Sequence, residues 1–348
     1  MKPIKYLLFL LCAISASAMA QTPMLDALRA KADQGDADAQ VKLGRLYAKF
    51  DDNPDIKLDY TQALSLLQKS ADQGNAAGQS SLGAMYELGY GIGKDGATAL
   101  KWYNLSAAQG NAKAMCRIGR MYELGEGGLN QNKVEAKKWF QKALPILRSQ
   151  AEANDSEAQL TLGGMYSFGL GVVQDYAEAL NWYRKAADQG NANAQTSLGF
   201  FYLTGQGVNQ DTAEAVKYFR NAAAQGNARA QCQLGVLYAD GKGVNQDYVE
   251  ASKWFRKAAD QGNAPAQGAL GISYENGNGV NKDYAEAAMW YRKAADQGDA
   301  YAQYRLGMMY VYGKGLKRDE AEALKWLKKS AAQGNKEAQD IIQSISTQ

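Results

Sequence analysis

Three cysteines and no histidine bound the chemistry open to this 348-residue chain. Without an imidazole there is no Ser-His-Asp or Cys-His nucleophile, no histidine metal site and no histidine pH switch. The Ser-x-x-Lys and Gly-x-Ser-x-Gly nucleophile motifs and the Gly-x-x-x-x-Gly-Lys-Ser/Thr phosphate loop are absent. Gly-x-Gly-Val segments such as Gly205-Gln206-Gly207-Val208 invite a phosphate-binding reading. They follow helix-period segments and recur along the chain, which makes them structural turns. Asp51-x-Asn53-x-Asp55 has the spacing of a calcium loop but lacks its mid-loop glycine and closing Glu, so it reads as a solvated acidic loop. No cofactor and no metal are expected. Lys+Arg 39 against Asp+Glu 36 is too balanced for an electrostatic nucleic-acid binder.

The elements that carry these residues are repeats. One string recurs, Gly-Asn-x-x-Ala-Gln-x-x-Leu-Gly-x-x-Tyr-x-x-Gly-x-Gly-Val-x-x-Asp-x-x-x-Ala-x-x-Trp-x-x-Lys-Ala-Ala-x-Gln. Its Leu-Gly glycines are Gly44, Gly83, Gly119, Gly163, Gly199, Gly235, Gly271 and Gly307, spaced by 39, 36, 44, 36, 36, 36 and 36 residues. Of the 36 glycines, 30 occupy fixed repeat positions, so they signify regularity rather than flexibility.

Each copy predicts two helices. Ala194, Leu198, Phe201 and Tyr202 form one apolar stripe of a first helix, which Gly205-x-Gly207 ends. Asp175, Asp211, Asp247 and Asp283 then act as N-caps of second helices. Ala179, Trp182 and Ala186 mark the inner face of a second helix, and the Gln189-Gly190-Asn191 corner ends it. All six tryptophans hold one repeat position, and eight tyrosines from Tyr47 to Tyr310 hold another. Both sets read as core. The third copy carries about seven extra residues around Leu144-Pro145-Ile146-Leu147, nearly two helical turns, with Pro145 expected to kink or split the helix.

Met24, Leu25 and Leu28 read as a lone second helix capping the N-terminal end. Ala338, Ile341, Ile342 and Ile345 read as a lone first helix closing the other. The expected division is a signal peptide over 1–20, a capping helix over 21–35, eight repeats over 36–334 and a capping helix over 335–348. The fold class is all-α, an α/α solenoid wound as one right-handed superhelix. Cys116 and Cys232 hold the same repeat position three copies apart. Helices packed at about 8–10 Å put them too far apart for a disulfide, which needs Cα atoms within about 7 Å, so two free thiols are expected.

With these motifs in place the chain resembles the Sel1-like repeat proteins, relatives of the tetratricopeptide repeat, over about residues 24–345. The resemblance implies a concave groove that binds protein or peptide, with no catalytic residues supplied by the family. Some exported cysteine-rich relatives are ascribed penicillin-binding or β-lactamase activity, the alternative reading. They carry a cysteine pair in each repeat, and this chain does not.

In the tetratricopeptide-like arrangement the groove is lined six and three residues before the Leu-Gly glycine and one, four and five after it. Those positions give Glu157, Leu160, Ser167 and Phe168 in the fourth copy and Asn193, Thr196, Phe200, Leu203 and Thr204 in the fifth. They give Glu275 and Asn276 in the seventh and Tyr301, Tyr304, Met308, Val311 and Tyr312 in the eighth. The expected anchors are Phe168, Phe200, Tyr304 and Tyr312, and the expected partner is an extended peptide or a helix.

Lys2 and Lys5, the apolar run Leu7 to Ala13 and Ala18-Met19-Ala20 read as an export signal cleaved after Ala20. The run is too short to span a bilayer. Removing Lys2 and Lys5 leaves 37 basic and 36 acidic residues. The expected product is a monomeric periplasmic or secreted protein with no membrane span.

Overall fold

A computed structural model describes residues 24–51 and 56–346. The expected signal peptide lies outside them, as does most of the Asp51-x-Asn53-x-Asp55 pattern. The described residues form eighteen helices and no strand, in two units, Met1–Gln174 and Asp175–Gln348. The first unit contains α1 (24–33), α2 (Ala37–Tyr47), α3 (Tyr60–Asp72), α4 (Ala76–Leu88), α5 (Gly96–Ala108), α6 (Ala112–Leu124), α7 (Lys133–Glu152) and α8 (Ser156–Phe168). The second contains α9 (Tyr176–Asp188), α10 (Ala192–Thr204), α11 (Thr212–Ala224), α12 (Ala228–Asp240), α13 (Tyr248–Asp260), α14 (Ala264–Asn276), α15 (Tyr284–Asp296), α16 (Ala300–Tyr312), α17 (Glu320–Ala332) and α18 (Lys336–Ser346).

Even-numbered helices from α2 onward are the first helices of the copies and odd-numbered ones the second. Within each unit consecutive helices pack on each other, which is the all-α solenoid expected from the repeat. In α1, Leu25 and Leu28 cover a small cluster of Ala39, Leu43 and Leu66. At the other end α18 packs on α17 with Ala338 buried.

Short polar side chains start the helices. Asp211 accepts a hydrogen bond from the Glu214 backbone N–H at 2.9 Å, and Asn191, from the corner, does the same for Ala194 at 3.0 Å. Each satisfies a backbone donor that has no partner inside the helix. First helices from α4 to α16 end at a left-handed glycine, as at Gly205 with φ of 72°, a conformation in which a side chain is disfavoured, whereas α2 ends at Ala48.

The Leu-Gly glycine is a packing device. A Cβ on Gly199 would lie 2.6 Å from the Phe219 ring, so only glycine lets α10 approach α11 this closely. The ring belongs to the residue after the tryptophan position. Leu67, Tyr103, Phe140, Phe255, Tyr291 and Leu327 hold the same place beneath Gly44, Gly83, Gly119, Gly235, Gly271 and Gly307. The tryptophans divide. Trp182, Trp290 and Trp326 are buried, whereas Trp102, Trp139 and Trp254 are half-buried. Lys142 and Lys257 lie 4.4 and 4.1 Å over the rings of Trp139 and Trp254.

The insertion in the third copy lengthens α7 to 20 residues against 13 for its counterparts. Pro145 does not split it: the helix is continuous, and Ala136, Phe140, Ala143, Leu147 and Ala151 form one buried stripe. Seven added residues return the stripe to nearly the same phase.

A ladder of glutamines runs through the buried polar interior. The Gln four residues before the Leu-Gly glycine, present in every copy but the third, donates to a carbonyl eight residues back, as Gln231 does to Ala223 at 3.1 Å. Its own oxygen accepts from the corner Gln of the same copy, as Gln231 does from Gln261 at 2.8 Å.

Candidate functional site

The first unit holds a hollow of about 390 Å³ lined chiefly by first-helix side chains. Ser80 and Ala84 come from α4, Lys113, Cys116, Arg117 and Arg120 from α6, and Glu157, Leu160, Gly164 and Phe168 from α8. Most of these occupy the positions six or three before, or one or five after, the Leu-Gly glycine. Arg45, Phe50 and Leu170 complete the wall. The structure therefore brings Glu157, Leu160 and Phe168 together, as expected. Ser167 is buried beside them. Phe168 is 73% exposed, an aromatic ring held in water at the groove's lip.

Sequence reading missed the cations. Lys113 pairs with Glu157 at 2.8 Å. Arg45 makes a two-pronged contact with Asp51, at 2.7 and 2.5 Å. Burial disfavours the Arg45 cation, but the Asp51 carboxylate outweighs it and holds the guanidinium pKa above its usual range. Arg117 reaches Glu87 at 3.5 Å, and Glu87 accepts the Tyr103 hydroxyl at 2.5 Å. Burial pushes the Tyr103 phenol upward, with the Glu87 charge adding to it, so it stays a neutral donor. Arg120 is exposed and has no hydrogen bond or ion pair among the described residues. It stands at the repeat position that the small residues Ala84 and Gly164 fill in the flanking copies, and all three line the hollow. Cys116 lines the hollow as a thiol whose pKa burial pushes up to about 12.

The second unit presents another face on the first helices α10, α12, α14 and α16. Thr196 is only 3% exposed, and its hydroxyl donates to the Ala192 carbonyl at 2.8 Å, so it belongs to the floor. Phe200 is half-buried, edge-on to Phe219 at 5.1 Å between ring centres, and carries the Arg229 guanidinium 4.4 Å above it. Leu203 packs on the same cluster. Asn193 and Asn276 are exposed, as is Thr204, whose hydroxyl donates to the Phe200 carbonyl. Glu275 is held by Tyr291 at 2.8 Å and by Arg305. In α16, Tyr301 and Tyr304 lie 6.3 Å apart, Met308 and Val311 are half-buried, and Tyr312 is 62% exposed.

Cys116 and Cys232 are both free. Among the described residues no cluster of three or more Cys, Asp or Glu side chains is placed to hold a metal ion, and no helix is long and apolar enough to cross a membrane. Gly91-x-Gly93-x-x-Gly96 matches a dinucleotide-loop spacing, but it joins helix α4 to helix α5 and follows no strand.

A stack of helix pairs presenting its variable side chains along first helices is a helical-repeat scaffold. Eight consecutive segments, 37–75, 76–111, 112–144, 156–191, 192–227, 228–263, 264–299 and 300–335, match the Sel1 repeat, and the chain belongs to that family. Sel1 repeats commonly serve as protein-interaction modules. The crystal structure of a Sel1 repeat protein from Oxalobacter formigenes is 33% identical, with a TM-score of 0.56 over 92% of this chain and 90% of that one. That of c5321, a protective antigen present in uropathogenic Escherichia coli strains displaying an SLR fold, is 36% identical, with a TM-score of 0.52 over 92% of this chain and 67% of that one. No curated protein matches the chain.

Proposed function

We propose that this protein is a non-catalytic adaptor of the bacterial cell envelope, exported by the segment 1–20, that holds a protein or peptide partner against its first helices. One observation carries the reading. Side chains that repeat from copy to copy are consumed in packing, caps and the glutamine ladder. Several that vary on the first helices line an open groove in the first unit, and Phe168 there and Tyr312 in the second unit stand exposed to water. Exposed apolar surface of this kind marks contact surfaces.

The test is site-specific photo-cross-linking in the envelope of the native host. A photoreactive residue is placed at Phe168 or Tyr312, and separately at Asn104 or Asn181 on exposed faces of second helices. Partner adducts should form from the first pair only. Adducts confined to the second pair would move the site to the other face, and localisation to the cytoplasm would remove the envelope role.

A further inference from the structure

The two terminal helices are the two halves of one repeat. α18 is a first helix: Gln339 donates to the Ala331 carbonyl eight residues back at 3.3 Å, the bond that Gln231 makes to Ala223. α1 is a second helix: its Ala32 carbonyl accepts from Gln40 of the following helix in the same way, at 3.1 Å. Counted back from the corner glycine Gly35, Leu28 holds the place of Leu67 and Leu327, which lie beneath Leu-Gly glycines. Gln34 holds the place of Gln225 and Gln261, which donate to the first-helix glutamine of their own copy. α18 therefore carries the accepting glutamine of an unfinished repeat, Gln339, and α1 the donating one, Gln34. Both are exposed. The helix that would complete α18 is thus of the kind that a second copy of this chain presents as α1.

Two residues break the match. In seven copies a Cβ on the Leu-Gly glycine would lie between 2.5 and 2.9 Å from the second-helix side chain beneath it. In α18 that place, eight residues after the capping Asn335, belongs to Gln343, a long side chain where the approach tolerates none. On the second helix the contact is completed by an alanine four residues before the Leu67-type position. Ala63, Ala179, Ala215, Ala287 and Ala323 fill it with no exposed surface, and the carbonyls of Ala63 and Ala323 lie 3.3 Å from the Cβ that Gly44 and Gly307 lack. In α1 that place belongs to Met24, which is 74% exposed.

We infer that Gln343 and Met24 are stops that keep copies of this chain from stacking end to end. With a small residue at both places, α18 of one molecule and α1 of the next close a ninth repeat, held by Leu28 and by the Gln34–Gln339 bond. With either bulky residue present the helices cannot approach to packing distance, and the contact is lost. Such a contact joins unlike surfaces, so every molecule would still offer one free end of each kind and assembly would continue. The inference is independent of what the first-helix grooves bind.

Sedimentation velocity of the purified protein over a concentration series tests it. The wild type, Gln343→Gly and Met24→Ala should each run as monomers. An equimolar mixture of the two single variants should form a dimer, one supplying an open α18 and the other an open α1. The double variant Met24→Ala/Gln343→Gly should assemble, with a mass that rises with concentration. Alanine in place of glycine at 343 should leave it monomeric, because the Cβ alone is the obstacle. Gln34→Ala in the double variant should weaken association by about twofold to tenfold, the net value of one hydrogen bond, with the melting curve unmoved. A monomeric double variant would overturn the inference, as would assembly of the wild type. A single variant that assembles as readily as the double would remove the other residue as a stop. Assembly by the alanine variant would refute the role of the Cβ, and indifference to Gln34→Ala would refute the pairing of α18 with α1.

Discussion

Gln225 donates its side-chain N–H to the side-chain oxygen of Gln195, thirty residues earlier, at 2.8 Å. Gln195 in turn donates to the Ala187 carbonyl at 3.4 Å. The pair ties the corner that closes the fifth copy to the helix that opens it. The third copy breaks the pattern at both ends together: Met115 replaces the first glutamine and Ala153 the second. A lone glutamine in either place would bury an unpaired amide group. Gln225→Ala or Gln195→Met alone should therefore cost about 1–3 kcal/mol. The double variant, which copies the third repeat, should cost clearly less than the sum. Urea denaturation of the four proteins gives the cycle, and strict additivity would show that the bond contributes nothing beyond its parts.

Two glycines in first helices should respond to alanine with opposite signs. Gly199→Ala puts a methyl 2.6 Å from the Phe219 ring, and the overpacking should cost about 1–3 kcal/mol. Gly268, inside α14, has nothing within 4 Å of the place a methyl group would occupy. Gly268→Ala should stabilise by about 0.5–1 kcal/mol through helix propensity. The two denaturation midpoints check both signs in one experiment.

The architecture was legible because scaffold residues recur: the caps, the Leu-Gly glycine and the alanines repeat as types, so helix ends and copy number can be counted. The buried residue after the tryptophan position was not, since it changes among Leu, Tyr and Phe and shows no fixed type. The glutamines were visible as repeats, but their bond spans thirty residues, beyond any local pattern. In the site, Leu160 and Phe168 fell where the positional rule placed them. Lys113, Cys116 and Arg120 satisfy the same rule in the third copy, but their types carry no aromatic signal that marks them as anchors. Arg117 lies two residues before the glycine, off the rule, and only its contact with Glu87 reveals it.

Glu87 accepts from the Tyr103 hydroxyl and faces Arg117, and Glu275 repeats this with Tyr291 and Arg305. Copies with phenylalanine in the ring position have no hydroxyl to satisfy. Glu87→Ala should thus cost about 1–3 kcal/mol, because it strands a buried donor. In a Tyr103→Phe background the same change should cost markedly less. An undiminished cost would assign Glu87's role to Arg117 alone.

The thiols should behave as buried groups. Burial raises Cys116 from 9.0 to about 12 and Cys232 from 9.0 to about 11. A neutral thiol is a poor nucleophile, so a maleimide at neutral pH should label both slowly in the native protein and rapidly after unfolding. The unfolded chain loses these protons first as pH rises. Stability from the two groups is therefore complete below about pH 9 and declines towards pH 11 and 12. Replacing both by alanine should flatten that alkaline decline, and an unchanged pH profile would refute the linkage.

The tyrosines of α16 offer the sharpest separation of binding from folding. Tyr312 is 62% exposed and Tyr291, one helix earlier, is fully buried. Tyr291→Ala should cost about 3–5 kcal/mol, whereas Tyr312→Ala should stay within about 0.5 kcal/mol of the parent. Tyr304 is half-buried beside Tyr301, so Tyr304→Ala should fall between them. If the face of the second unit also takes a partner, a photoreactive group at Tyr301 should lose its adduct when Tyr312 becomes Ala, with the melting curve unmoved. Full adduct yield from that variant would exclude Tyr312 from the contact. Loss of adduct accompanied by equal loss of stability would place Tyr312 in the scaffold, against its exposure.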